Sequence, residues 1–369
     1  PTLACNCTCP HCFEELSGRT LDDGCWKPLF RRIRELAEAL ETSTLRLYWQ
    51  GGEVLCMDPG SVKRGLEAAA AIFEDSGIAL EHHLQTNLLL YDSAEWRDVV
   101  TAFSLGTLSS SVDLPNLYRR TPSLSPEEYN AAWLRRKEAA EADGFQVSAI
   151  SLPNPETLRL GAERFYTFFA EELGVRNVQV NFPFPGRRPG LLPLDLSQLA
   201  TFVRDLYEIW VARGRYLNLS PFKCLEDRLV NGKGELLCPW GYSCANSILA
   251  VGPSGEVAQC DCWLLTFRDF DFGSLMEQPV QGVLNSSQRR VFLDRPVRLM
   301  QDSECGECEF WKLCYGGCPV RAFAFKGDIF SPDHYCRVYH EMFSAVLENA
   351  AVEHAAGKQS PQRGGCENG

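Results

Sequence analysis

The chain has 369 residues, of which 45% are hydrophobic and 23% are charged, the usual balance of a globular protein. Its formal net charge of -12 argues against a nucleic-acid partner, because binding phosphates requires clustered Lys and Arg. No apolar run approaches the ~20 residues that cross a bilayer, and no signal peptide is visible, so we expect no membrane partner. The length predicts one large domain and a smaller one.

The chain contains 17 cysteines, many of them two or three residues apart. Such spacing suits a metal ion or cluster better than a disulfide framework, and it predicts a reducing, cytoplasmic location. The sequence begins with Pro1 rather than Met, so we expect the natural N-terminus to lie upstream.

Strand-like and helix-like patterns alternate over the first two-thirds of the chain. The predicted strands are Leu45–Trp49, Ile78–Leu84, Leu108–Val112, Gln146–Ile150, Val178–Asn181 and Tyr216–Leu219. The predicted helices are Trp26–Thr42, Val62–Asp75, Pro126–Asp143, Leu160–Leu173 and Leu196–Arg213. This alternation predicts an α/β fold, a partial (β/α)6 TIM-like barrel with its site at the carboxyl ends of the strands.

From residue 222 the helical periodicity weakens, and Gly and Cys become frequent. Ile248–Val251 and Val257–Gln259 read as a hairpin, and Tyr339–Glu353 reads as a last helix before a polar tail. We therefore predict a barrel domain over 1–221, a small cysteine-rich domain over 222–338, and a helix with a disordered tail over 339–369.

Cys5, Cys9 and Cys12 place three thiols within eight residues of an N-terminal loop. A [4Fe–4S] cluster normally takes four cysteines, so three would leave one iron open for another ligand. The alternative is a zinc knuckle that uses Cys7 or His11 as its fourth ligand.

The Cys-x3-Cys-x2-Cys spacing followed by Phe13 resembles the signature of the radical S-adenosylmethionine (SAM) superfamily. Further motifs of that superfamily follow at successive predicted strand ends: Gly51-Gly52-Glu53, Gln85-Thr86-Asn87 and Ser111-Val112-Asp113. The resemblance implies that SAM chelates the open iron and yields a 5′-deoxyadenosyl radical. The residues it implies for cofactor binding are Phe13, Gly51, Gly52, Glu53, Gln85 and Ser111.

The C-terminal region contains a set of eight spaced cysteines, which are Cys238, Cys244, Cys260, Cys305, Cys308, Cys314, Cys318 and Cys336. Their spacing resembles that of the SPASM domain, which holds two auxiliary [4Fe–4S] clusters. The resemblance assigns the first auxiliary cluster to Cys238, Cys244, Cys260 and Cys318. It assigns the second to Cys305, Cys308, Cys314 and Cys336. With the SAM cluster at Cys5, Cys9 and Cys12, we expect three [4Fe–4S] clusters; a pair of zinc ribbons is the alternative.

Asp261 follows Cys260, as in anaerobic sulfatase-maturating enzymes, where this Asp is the proposed catalytic base. Val54 and Leu114 depart from that family, which favours a maturase that crosslinks a ribosomally made peptide over formylglycine formation. We therefore predict a radical SAM oxidoreductase with a peptide or protein substrate and an electron donor such as flavodoxin or ferredoxin. A dehydrogenase or epimerase of a small molecule such as an aminoglycoside is the alternative, with Cys262 or Cys224 as hydrogen-atom donor.

Overall fold

The computed structural model describes residues 1–103, 106–186, 190–233, 238–242 and 244–356. Its six-stranded sheet is parallel throughout and runs in chain order from β1 to β6 without closing into a barrel. The strands are β1 Thr44–Trp49, β2 Ala79–Thr86, β3 Thr107–Ser111, β4 Gln146–Ser151, β5 Asn177–Val180 and β6 Asn218–Ser220. Each predicted strand overlaps one of these, so the predicted partial barrel is confirmed.

Helices precede β1, connect the successive strands and follow β6. They are α1 Trp26–Ala39, α2 Pro59–Phe73, α3 Ser93–Val100, α4 Pro126–Ala142, α5 Pro155–Leu160, α6 Ala162–Thr167, α7 Leu196–Ala212 and α8 Phe222–Leu229. Several begin with a side chain that accepts from a free backbone N–H, as Asp58 does before α2 and Ser125 before α4. The predicted helix Leu160–Leu173 is interrupted at Gly161 and ends in a π-helix, Phe168–Glu172.

The sheet has an outer face covered by helices and an inner face that lines the partial barrel. Trp133 of α4 donates from Nε1 to Ser110 Oγ at 2.8 Å, which identifies the outer face of β3. Because side chains alternate along a strand, Ser109 and Ser111 point to the inner face. The parallel register places Gln85 and Ser148 directly beside Ser109, on the same side.

The C-terminal region forms around a second hydrophobic core that includes the fully buried Trp263. Its elements are β7 Ala250–Val251, β8 Glu256–Ala258, β9 Gly273–Ser274, α9 Val280–Leu284, α10 Ser287–Asp302, α11 Trp311–Cys314, α12 Pro319–Lys326 and α13 Cys336–Ala355. β7, β8 and β9 form an antiparallel sheet, which contains the predicted hairpin.

Helix α13 begins three residues before its predicted start and packs against the barrel helix α7, where Arg204 pairs with Glu341 at 3.0 Å. The predicted tail from 357 lies outside the described residues, and the domain boundaries stay a prediction. None of the helices in the described part of the chain is both long and apolar enough to cross a membrane.

Candidate active site and cluster sites

The loop that carries the first three cysteines is anchored to the end of β1 by backbone hydrogen bonds. Gly52 N donates to Thr2 O at 2.9 Å, and Glu53 N donates to Ala4 O at 2.7 Å. A Cβ on Gly52 would lie 2.7 Å from the carbonyl carbon of Leu3 and would collide with Ala4 O. Glycine is therefore required here because the two backbones approach so closely.

Glu53 is buried, with 2% of its surface exposed, and its carboxylate is held by three donors. Oε1 accepts from Leu55 N at 2.9 Å and from Thr86 Oγ1 at 2.7 Å. Oε2 accepts from Asn87 N at 2.6 Å. Burial raises the pKa of Glu53, while these hydrogen bonds favour its charged form. The carboxylate thus joins the ends of β1 and β2.

Asn87 extends this connection to the cysteine loop. Its Nδ2 donates to Asn6 Oδ1 at 2.6 Å and to Cys7 Sγ at 3.3 Å. The Gln85-Thr86-Asn87 motif therefore acts in the structure mainly through Thr86 and Asn87, whereas Gln85 faces the inside of the barrel. The motif itself was the sequence signal for both residues.

The thiols of Cys5 and Cys9 lie on either side of Cys7, which hydrogen-bonds with both of them. These bonds lower the pKa of Cys5 and lower that of Cys9 to about 6, with further help for Cys9 from the charge of Arg119. Cys12 follows in a turn, where its N–H donates to Cys9 O at 3.2 Å. The three predicted ligands therefore share one loop, and Cys7 lies within that group.

His11, between Cys9 and Cys12, is half-buried overall, yet its Nδ1 is buried without a hydrogen-bond partner among the described residues. Burial first, and then the charge of Arg119, lower its pKa to about 4, which keeps the ring neutral. A buried polar atom without a partner is expected where a bound group would lie. Together with the three thiols, it fits a loop that holds a cluster and its ligand.

The segment after β3 supports this loop from the other side. Arg119 donates from Nε to the buried Asp113 carboxylate at 2.7 Å, and Arg120 O accepts from Thr8 N at 2.9 Å. Leu152 N also donates to Asp113, at 2.8 Å. Asp113 is thus engaged with protein groups, which leaves Ser111 as the member of the Ser-x-Asp motif on the inner face.

Phe13 forms part of a wall with a segment for which the sequence suggested no role, 181–186. Its ring stacks on that of Phe184, with centroids 5.4 Å apart and an interplanar angle of 25°. A Cβ on Gly186 would lie 2.9 Å from Phe13 Cα, so glycine permits the contact. Tyr335 fixes the segment by donating to Pro183 O at 2.6 Å.

The four thiols predicted to bind the first auxiliary cluster come together in the C-terminal region. Charge–charge interactions link Cys238 to Cys244, Cys260 and Cys318. Burial, followed by the charges of Cys260 and Cys318, raises the pKa of Cys244 to about 12. Cys260, Asp261 and Cys262 also form a tight group, with one ligand atom from each within 4.8 Å of the others.

Asp261 lies where the two halves of the chain meet. Its side chain hydrogen-bonds with Cys260 and Cys262, and with Gln50, the residue before Gly51. Desolvation raises the pKa of Asp261. Burial first, and then the charge of Asp261, raise the pKa of Glu14 to about 8. Glu14 is a second buried carboxyl group at this place, and no local sequence pattern indicated it.

The four thiols predicted to bind the second auxiliary cluster line one cavity, together with Tyr339, His340 and Phe343 of α13. His340 Nε2 lies 3.4 Å from Cys308 Sγ. Four thiols around one cavity are the donor set of a fully ligated [4Fe–4S] cluster, so these residues fit that group.

The chain is similar to several known proteins. Residues 238–309 match the SPASM family, described as an iron–sulfur cluster-binding domain. The serine-type anaerobic sulfatase-maturating enzyme of Klebsiella aerogenes is 23% identical over 356 residues, which cover 93% of this chain and 83% of that protein. PqqA peptide cyclase of Methylocella silvestris is 24% identical over 378 residues, which cover 96% of this chain and 91% of that protein.

The fold also matches a solved structure. Native anSMEcpe with bound AdoMet and the Kp18Cys peptide superimposes with a TM-score of 0.79 over 96% of this chain and 97% of that one, at 17% identity. The chain thus combines a parallel partial barrel, a cysteine loop at the carboxyl edge of its sheet and a C-terminal region that matches an iron–sulfur cluster-binding domain. The predicted resemblance to radical SAM enzymes that carry a SPASM domain is thereby confirmed.

Proposed function

We propose that this chain is a radical SAM enzyme that oxidatively modifies a side chain of a peptide or protein substrate. The position of Asp261 is the observation that carries the proposal. This carboxylate follows a predicted auxiliary ligand, Cys260, and hydrogen-bonds with Gln50 beside the Gly-Gly-Glu motif. A base at this point lies between the site for SAM and the auxiliary site, where a substrate losing a proton needs it.

The proposal includes three [4Fe–4S] clusters, with the ligand sets predicted from the sequence. When bound, SAM and its cluster supply hydrogen-atom abstraction, and the auxiliary clusters supply electron acceptance. An external electron donor such as flavodoxin or ferredoxin is part of the proposal, as is a cytoplasmic location.

Each group of protein residues has a distinct task in this proposal. Glu53 and Asn87 hold the cysteine loop against the strand ends, and Phe13 closes one side of the site. Gln85 and Ser111 on the inner face are proposed contacts of SAM, while the neighbouring inner-face side chains Ser109 and Ser148 offer hydrogen bonds to the amides of an extended peptide. Asp261 then accepts the proton that the substrate loses, onto a carboxylate oxygen.

Two relatives support a peptide or protein substrate. The name of one refers to the maturation of a sulfatase, and the name of the other refers to the cyclisation of a peptide. Val54 and Leu114 depart from the sulfatase-maturating pattern, and we therefore favour crosslinking of a ribosomally made peptide over formylglycine formation. Both reactions remove hydrogen from a side chain, so Asp261 has the same task in each.

The test is to incubate reduced, cluster-loaded protein with SAM and a co-expressed candidate peptide, and to follow 5′-deoxyadenosine and the mass of the peptide. We expect 5′-deoxyadenosine together with loss of hydrogen from the peptide. Asp261→Asn should reduce product formation by about 10²-fold or more while its clusters are retained. The matched control is Asp269→Asn, which changes an exposed carboxylate in the same region.

Two outcomes would contradict the proposal. If Asp261→Asn formed product at an unchanged rate, Asp261 would not be the catalytic base. Solvent deuterium at a carbon of a small-molecule substrate, without loss of hydrogen, would indicate the epimerase alternative with a thiol such as Cys262 as donor.

A further inference from the structure

Asp333 connects a predicted ligand of each auxiliary cluster. Its carboxylate Oδ2 accepts from Cys318 N at 2.8 Å, and Cys318 is assigned to the first auxiliary site. Its own carbonyl oxygen accepts from Cys336 N at 3.1 Å, and Cys336 is assigned to the second. Asp333 therefore accepts a backbone hydrogen bond from one predicted ligand of each auxiliary cluster.

The carboxylate is buried and fixed by further contacts. Only 1% of the surface of Asp333 is exposed. Oδ1 accepts from Tyr335 N at 2.9 Å, and Oδ2 also accepts from Tyr339 Oη at 2.8 Å. A Cβ on Gly317 would lie 2.8 Å from Oδ2, so the chain leaves no room for another side chain there. These contacts hold the Asp333 carboxylate in a single position, with its donors fixed around it.

The charge of Asp333 is only loosely compensated by direct ion pairing. Arg321 Nε lies 4.0 Å from Oδ2, and Arg321 Nη1 donates to Tyr339 Oη at 2.6 Å. A second buried cation, Arg295, donates to the carbonyl groups of Gly316 and Gly317, each at 2.9 Å. The segment between Cys314 and Cys318 thus lies in a buried field set by one anion and two cations.

We propose that Asp333 is a positioning residue shared by the two auxiliary cluster sites, and that its charge makes both clusters harder to reduce. The inference rests on the proposed assignment of eight cysteines to two clusters. A fixed negative charge opposes the addition of an electron nearby, and burial strengthens the effect because screening is weak. The same reasoning gives Arg321 the opposite effect.

The test is a potentiometric titration of the cluster-loaded protein, followed by electron paramagnetic resonance. Asp333→Asn should shift both auxiliary potentials to more positive values and leave the SAM-cluster potential unchanged. Asp328→Asn is the matched control, because Asp328 is an exposed carboxylate five residues away that caps Phe330 N. The inference is overturned if neither auxiliary potential moves, or if only one does.

Arg321 gives a second test that does not depend on Asp333→Asn retaining its clusters. Arg321→Gln should shift both auxiliary potentials to more negative values, whereas Arg321→Lys should stay near the unsubstituted protein. Equal potentials in the two variants would overturn the inference. Failure of the cluster assignment is recognised separately: unsubstituted protein would then hold well below about 12 irons per chain.

Discussion

Glu53 Oε2 accepts a 2.6 Å hydrogen bond from the backbone N–H of Asn87, which joins the ends of two adjacent strands directly beneath the cysteine loop. Asn87 in turn contacts the loop through its amide group. The Gly-Gly-Glu and Gln-Thr-Asn motifs are therefore one connected unit, in which a buried carboxylate orients the loop that is proposed to hold the SAM cluster.

Replacing Glu53 with Gln should destabilise the protein by about 3 kcal/mol, because a side-chain NH2 would face a backbone donor inside the protein. The apparent melting temperature should fall, and SAM binding by equilibrium dialysis should weaken. Glu38→Gln is the control, since Glu38 forms an exposed pair with Arg34 at 2.7 Å and should cost about 0.5 kcal/mol or less. Equal stability of the two variants would contradict this role for Glu53.

Replacing Gly52 with Ala should lower stability more than the addition of one methyl group usually does, because that methyl group meets backbone atoms rather than a movable side chain. We expect a loss of about 2 kcal/mol or more, together with reduced iron in the N-terminal site. Gly18→Ala is the matched control in the N-terminal segment, because a Cβ on Gly18 would have nothing within 4 Å. If Gly52→Ala retains full iron content and melting temperature, the close approach of the two backbones is not needed.

Much of the fold could be predicted from sequence because strand–helix alternation is a strong signal, and the motifs at the strand ends indicated where the site lies. Helix α10 was missed because Arg289, Arg295 and Pro296, all buried, interrupt the apolar periodicity expected of a helix. Tertiary contacts hold Arg295 in place, because it donates to backbone carbonyl groups that no local pattern reveals.

Site residues that belong to no motif could not be predicted from the sequence either. Glu14, which is followed by Glu15, and Asp333 belong to no recognisable motif, and an exposed position is the ordinary expectation for such carboxylates. Asp333, for example, is covered by Gly317, which lies 16 residues before it in the chain. The inner-face serines were within reach of sequence reasoning, since Ser109 and Ser111 alternate along a predicted strand.

Cys7 provides a test of the three-thiol assignment, because its thiol lies among the predicted ligands. Cys7→Ala should keep the N-terminal cluster, and the spectrum of that cluster should still change when SAM is added. Cys9→Ala should lose this cluster and about four irons per chain. If Cys7→Ala instead loses the cluster, or if SAM no longer affects its spectrum in the unsubstituted protein, the iron is saturated by four protein ligands.

His82 should make the stability of the barrel fall in mild acid. Its Nδ1 accepts from Trp49 Nε1 at 3.0 Å, which requires a neutral ring. Burial first, and then the neighbouring His83, lower the pKa of His82 from 6.5 to about 4. The unfolded chain therefore binds a proton below pH 6.5 that the folded chain refuses, and stability decreases as the pH falls through this range.

The expected loss is about 1 kcal/mol between pH 8 and pH 6, and it grows until the pH approaches the folded pKa. Because iron–sulfur clusters are themselves sensitive to acid, the quantity to measure is the difference in apparent melting temperature between unsubstituted protein and His82→Gln at each pH. His82→Gln lacks the titrating group, so its disadvantage at pH 8 should shrink at pH 6. A difference that is the same at both pH values would mean that His82 is free to take up a proton in the folded protein, and that the hydrogen bond from Trp49 does not hold it neutral.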